Sequence, residues 1–234
     1  MTKILSEQSE SKDRIFVGTG GGKFDEHKEG LENTCSASLV FDFLKSEDVL
    51  PKDEISVKAL EELVEWNKLI DTGKAPASEF SQFSIQSIIR PKNGSKETSK
   101  KAVELGEEIL NRLLEVLKNK QQSLKDWEKR IEFETKFGKT IAVKSEFVDR
   151  AFCKQQNSDL FLIFNPKNLS VQFFTPSFEI DLESIYKKVK QLDPKASWFL
   201  HQSHHMVICG SSSAPDSKPT KLSLEELIEV AKSI

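Results

Sequence analysis

The chain has 234 residues, 37% hydrophobic and 30% charged, with a formal net charge of −3 and a mean hydropathy of −0.43. That balance excludes a disordered tail, and no apolar run approaches the roughly 18–20 residues that cross a bilayer. Lys/Arg and Asp/Glu are interspersed, which excludes a global electrostatic footprint for nucleic acid, and the amino terminus lacks the apolar core of a secretory leader, so the cytoplasm is the expected location.

In chain order, a polar stretch of about a dozen residues precedes Arg14-Ile15-Phe16-Val17, which reads as a short buried strand running into Gly18-Thr19-Gly20-Gly21-Gly22. A strand that ends in glycines marks a place where backbone approaches something closely. Helical spacing predicts a helix from Ser36 to Leu44 and another after Pro51, with Val57, Leu60, Leu63, Val64 and Ile70 on its apolar stripe. Both are expected to pack on the first strand. Pro76 to Phe83 reads as loop, and Ser84 to Ile89 is apolar but too short to assign to helix or strand.

From Ser95, a plausible N-cap, an amphipathic pattern runs through Ala102, Leu110, Leu117, Leu124, Trp127 and Ile131 and predicts one long helix with a break near Gln121. Lys96, Lys100, Lys101, Arg112, Lys118 and Lys120 alternate with glutamates along it, as expected of a solvated face. After Gly138 the texture changes. Strands are predicted at 140–143, 160–164, 171–174, 198–200 and 206–209, with helices near 145–152, 181–192 and 223–231 and a hairpin turn at Asn165–Asn168. The expected fold is therefore α/β followed by α+β. Its divisions are 1–94, a long helical connector over 95–134, and a carboxy-terminal mixed-sheet lobe over 135–234. Cys35, Cys153 and Cys209 form no C-x-x-C pair and are expected to be buried and reduced.

The dense cluster of site-type residues is Gly20-Gly21-Gly22-Lys23-Phe24-Asp25-Glu26-His27. An imidazole and two carboxylates on one short loop suit hard or borderline divalent ions such as Mn²⁺ or Mg²⁺. The glycines fit neither a dinucleotide fingerprint nor a phosphate loop, because no Gly-x-Gly-x-x-Gly opens a helix and no Gly-Lys-Ser/Thr follows. No Ser-His-Asp order with a nucleophile elbow can be built. The other histidines are His201, His204 and His205, and the latter two, if on a strand, point to opposite faces. Phe161, Phe164, Phe173 and Phe174 on adjacent strands are expected to be core rather than a base-stacking platform.

Val17-Gly18-Thr19-Gly20-Gly21 followed by Phe24-Asp25-Glu26-His27 resembles the Val-Asp-x-Gly-Gly and Tyr/Phe-Asp-His-His segments of DHH-type phosphoesterase-like proteins. More specifically it resembles the metal-dependent hydrolase family that includes the melanocyte-proliferating-gene exonuclease. Cys35-Ser36-Ala37-Ser38-Leu39-Val40, Leu69-Ile70-Asp71-Thr72-Gly73 and Trp198-Phe199-Leu200-His201 with Cys209-Gly210 follow in the family's order. The resemblance implies a remnant of a DHH-like α/β domain. It implies metal ligation by Asp25, Glu26, His27 and Asp71, with Asp25 and His27 as catalytic residues of any activity, and substrate contacts at Gly20, Gly21, His201 and Gly210.

The family's Asp before Gly-Gly is Gly18 here, the first His of its Asp-His-His is Glu26, and an Asp three before Asp71 is Lys68. The family's opening His/Asp segment is expected to have no counterpart, unless a separate chain supplies it. A two-metal site needs more ligands than these. The expected function is therefore a degenerate, non-catalytic DHH-like protein that binds a nucleotide, a nucleic acid or a protein partner. The alternative is a Mn/Mg-dependent phosphodiesterase or exonuclease. The edge exposed by the missing segment makes a homodimer the expected assembly.

Overall fold

The computed structural model describes residues 15–90, 95–211, 214 and 216–234. The architecture is mixed α/β, and the chain divides into two compact units, Met1–Gln121 and Gln122–Ile234. No helix among the described residues is long and apolar enough to cross a membrane.

The first unit is helical. α1 (Ser36–Ser46) starts at Cys35, whose backbone N–H is taken by the Ser38 hydroxyl, and α2 (Glu54–Asp71) starts at Asp53, whose carboxylate accepts the Ser56 N–H at 2.7 Å. They pack through Phe41 and Ala59, while Cys35 is buried beside Asn67. The apolar stripe predicted for α2 is only half-buried. Segment 84–89, ambiguous in sequence, is the short helix α3 (Ile85–Ile89), capped by Ser84. The long helix α4 (Lys96–Trp127) runs unbroken through Gln121, where Lys120 and Gln121 both bond Glu62 on α2. Exposed pairs along it are Glu97–Lys101, Lys100–Glu104 and Glu108–Arg112, as expected of solvated cations interleaved with glutamates.

The expected opening strand does not form. Arg14 lies outside the described residues, Ile15 and Val17 are exposed, and among the described residues the only pairing of this segment is one bridge from Val17 to Phe24. With no neighbouring strand among the described residues to satisfy its amides, an apolar tetrapeptide has no ladder to join.

The second unit is a six-stranded sheet in the order β1-β2-β3-β4-β6-β5. The strands are β1 (Ile131–Thr135), β2 (Gly138–Lys144), β3 (Leu160–Asn165), β4 (Ser170–Phe174), β5 (Trp198–Leu200) and β6 (Met206–Cys209). β2 and β3 are parallel, and all other neighbours are antiparallel. Ile131 therefore begins a strand and is not part of the long helix.

The alternation of side chains along each strand builds two cores. Ala142, Leu162, Phe173 and Val207 face α6 (Glu183–Leu192) and α7 (Leu224–Lys232), while Ile141, Phe161, Ile163 and Phe174 face Trp127, Val148 and Cys153. With Phe161 and Phe173 almost fully buried on opposite faces, no stacking platform exists on this sheet. All three cysteines are buried and free; burial pushes the thiol of Cys153 up to about 12 and that of Cys209 up to about 11.

The helix expected at 145–152 shrinks to α5 (Arg150–Cys153). Ser145 accepts the N–H groups of Phe147 and Val148 on its hydroxyl and donates to Asp126 at 2.6 Å, which holds this stretch in a turn, and Asp149 then caps α5. Asn165 makes the β3–β4 turn as expected, its side-chain oxygen accepting from the Lys167 and Asn168 N–H groups.

Asp193, at the end of α6, accepts the Lys221 N–H and the Thr220 hydroxyl, both at 2.9 Å, and so ties down the approach to α7. The Lys221 N–H, with help from Thr220, holds its carboxyl below the ordinary 3.8. A depressed folded value stabilises fully above the unfolded pKa and is lost as pH falls through the folded one. Thermal melts should therefore show the gap between the parent and Asp193→Asn closing as the pH is lowered from neutrality to about 3. A gap that stays constant over that range would remove Asp193 from the acid response.

Candidate functional site

The loop from Gly18 to His27 is folded around one carboxylate. Its backbone turns back on itself through Gly18 N–H to Phe24 O at 2.9 Å and Asp25 N–H to Gly22 O at 3.2 Å. Gly18, Gly20 and Gly21 adopt φ values of 69°, 81° and 70°, a region that costs residues bearing a Cβ. Phe24 anchors the loop from below. It is buried, meets Phe43 of α1 edge-on at 5.4 Å, and the Lys23 ammonium lies 3.3 Å from the Phe43 ring centroid.

Asp25, 6% exposed, has both carboxylate oxygens engaged inside the loop. Oδ2 accepts the Gly21 N–H at 2.7 Å, and Oδ1 accepts the His27 N–H at 3.1 Å and lies 3.0 Å from His27 Nδ1. The Gly21 N–H first, then the His27 N–H and ring, hold the Asp25 carboxyl below its ordinary range. Reciprocally, the Asp25 carboxylate first, then the charges of Glu26 and Asp71, hold the His27 imidazole above its ordinary value. Glu26 takes the Ser36 hydroxyl on Oε2 at 2.8 Å and lies 3.8 Å from His27 Nδ1 through Oε1.

Of the four ligands expected, the structure brings three together. Donor atoms of Asp25, Glu26 and His27 lie within 4.8 Å of one another, the one such group among the described residues. Asp71, at the end of α2, stands outside that group and is exposed, although its charge reaches His27. Two oxygen donors and one nitrogen suit half the shell of a single octahedral Mn²⁺ or Mg²⁺. They do not suit a pair of ions, which needs carboxylates bridging both.

A proton competes for even the single position, because the His27 nitrogen nearest the carboxylates is the one held against Asp25. Gly18 adds a steric observation. A Cβ at this position would lie 2.9 Å from the Ser36 hydroxyl, so the hydroxyl that serves Glu26 stands where a side chain at 18 would go.

The residues predicted to contact substrate fall two in each unit, Gly20 and Gly21 in the first and His201 and Gly210 in the second. The Gly21 N–H is spent on Asp25, and Gly20 backs onto the ring of Phe16. His201 and Gly210 lie at opposite ends of the β5–β6 hairpin. His201 sits in its turn, bonded to Ser203 through Nδ1. Gly210, with φ 72°, follows the paired end where Trp198 meets Cys209. His204 and His205 lie in the same turn as His201 rather than on a strand; His204 has φ 59° and places Nδ1 2.9 Å from Asp181.

Gly210 is part of the wall of a cavity of about 650 Å³ in the second unit, with Arg150, Lys154, Asn165, Asn168 and Gln172 among its other lining residues. Sequence reasoning missed this cavity. One signal was present: Gln172 is the polar residue of Val171-Gln172-Phe173-Phe174, out of keeping with a strand buried on both faces. The hydroxyl of Ser36 was also missed, although it lies in one of the quoted segments.

No family model and no curated protein matches the chain. Among solved structures it is similar to a chain described as a member of the S1p family of ribosomal proteins, DHH domain, with a TM-score of 0.36 and 14% identity over 90% of the present chain. The chain spans about half the length of that structure, 49% of it.

Proposed function

We propose that this is a DHH-like protein that does not hydrolyse phosphodiesters and that binds a phosphate-bearing ligand of the nucleotide class. The observation that carries the reading is the internal commitment of Asp25. A carboxylate that already accepts from Gly21 and His27, in a cluster of three donor groups, lacks the capacity to position two ions and an attacking water. The Ser36 hydroxyl beside Gly18 supports it further, since that space is filled by a donor to Glu26 rather than by another carboxylate.

The binding half of the proposal is supported by the second unit's cavity. Arg150 and Lys154 supply positive charge there beside the carboxylates of Glu146 and Asp149, and Asn165, Asn168 and Gln172 supply amides, of which the Gln172 side chain has no hydrogen-bond partner among the described residues. Cations with flexible amide donors are the chemistry that recognises a phosphate next to a base or sugar.

The alternative, a Mn/Mg-dependent phosphodiesterase, draws on one observation, the convergence of Asp25, Glu26 and His27. The two are separated by titrating Mn²⁺ into the full chain by calorimetry, with a phosphodiester hydrolysis assay run in parallel. The proposal expects no turnover above the protein-free rate. It expects any Mn²⁺ binding to be weaker than about micromolar, to weaken further as the pH falls through the raised His27 value, and to disappear in His27→Ala. Metal-dependent turnover lost in His27→Ala would overturn it in favour of the enzyme. Nucleotide binding is read in the same instrument with a nucleoside monophosphate, and its absence would remove the binding half.

A further inference from the structure

The first unit carries a second feature, which does not depend on the metal loop or on the cavity around Gly210. A furrow of about 950 Å³ runs between α3 and α4, its lining including Ile89, Ala102, Val103, Gly106, Glu107 and Leu110. α3 lies over α4 where the latter has no side chain, at Gly106, where a Cβ would lie 3.7 Å from Ile89. Beside that crossing the furrow is apolar and open, with Val103 69% and Leu110 37% exposed. A group of this kind on a helix that is otherwise strongly polar marks a surface that another polypeptide covers.

The charges bordering the furrow say which polypeptide. Lys100, Val103, Glu107 and Leu110 recur at helical spacings of three and four and so share one flank of α4. Along the helix the glutamates at 97, 104, 108 and 115 each have a lysine or arginine partner. Glu107, on the furrow wall, has none among the described residues. Lys100, one turn before Val103 and just outside the furrow wall, reaches only Glu104 among the described residues, at the loose distance of 3.7 Å.

Positive then negative, three to four residues either side of Val103, is a self-complementary order. A two-fold axis beside Val103 with the helices antiparallel sets the two valines against each other and carries Lys100 of each copy opposite Glu107 of the other. A partner of uniform charge would satisfy only one member of the pair. We propose that this furrow is the surface through which two copies of the chain associate, with Lys100–Glu107 pairs formed twice across the axis.

Sedimentation equilibrium of the full chain over the micromolar range tests this, with circular dichroism confirming that each variant folds. The parent is expected to dimerise, and Val103→Asp to be monomeric. Lys100→Glu and Glu107→Lys alone each replace two attractions with two repulsions and should weaken dimerisation roughly tenfold or more. The double variant K100E/E107K, and an equimolar mixture of the two single variants, should both recover it, because each restores opposite charges across the axis.

A parent that sediments as a monomer throughout would overturn the proposal and leave the furrow to a different partner. A dimer indifferent to Val103→Asp, or one weakened by the single reversals but rescued by neither combination, would overturn it as well.

Discussion

Phe173→Ala is expected to destabilise the second unit by about 3–5 kcal/mol, the largest single effect among the changes considered. Phe173 is fully buried, pairs with Leu162 on one side and Val207 on the other, and faces α6 and α7. Truncation removes the ring's transfer energy and leaves a void bounded by backbone on both neighbouring strands, where the surroundings have little freedom to close in. Against the roughly 5–15 kcal/mol that holds a typical domain together, that is a large share. Urea unfolding followed through the tryptophans measures it, with an unchanged denaturant slope as the sign that the transition itself is the same. Phe178→Ala is the control. At 88% exposed it should move the midpoint by no more than about 0.5 kcal/mol, and equal losses in the two variants would contradict the placement of the core.

Gly210→Val is expected to cost roughly 2–4 kcal/mol and to distort the cavity it lines. Two causes add. The residue has φ 72°, which a β-branched side chain adopts only under strain, and a Cβ there would lie 3.2 Å from Ser170 Cα and 3.3 Å from the Leu169 carbonyl. Both obstacles are backbone, and they belong to a turn that is itself constrained, since Leu169 has φ 56°. Gly210→Ala separates the causes, because it keeps most of the strain with the smallest added volume. A thermal melt showing the valine variant as stable as the parent would mean that the turn yields, and would withdraw the cavity wall as a fixed surface.

The sheet unit was legible in the sequence because its strands obey a simple rule. Leu160 to Phe164 and Val171 to Phe174 are short apolar runs bounded by turn residues, and burial on both faces is what such runs require. β1 escaped notice because Ile131 falls where α4's apolar spacing would place its next residue, and Glu132 and Glu134 give the strand a polar face. The stretch 145–149 read as helix because periodicity does not register a serine that captures two backbone N–H groups.

At the loop, residue types pointed correctly to Asp25, Glu26 and His27 as neighbours in space, since they are neighbours in the chain. How many bonds Asp25 already makes was not legible, because the Gly21 N–H that takes one oxygen reaches it only through consecutive glycines with positive φ. Asp71 illustrates the converse. Its distance from the cluster depends on where α2 ends relative to the loop, and no local pattern encodes that.

The mixed sheet has one further consequence, for the order in which the unit assembles. β1–β2, β3–β4 and β5–β6 are three antiparallel hairpins, each closed by the short segment between its own strands. The two remaining seams, β2 with β3 and β4 with β6, join strands from different hairpins. The first of these is parallel, so its connection must cross over rather than turn back. Hairpins close within microseconds, whereas seams wait on loop closure and set the pace of all-β assembly. Phe173 lies on the second seam, opposite Val207. A side chain on a seam is acquired late if the hairpins form first, so its loss would be felt in the speed of unfolding more than in the speed of refolding.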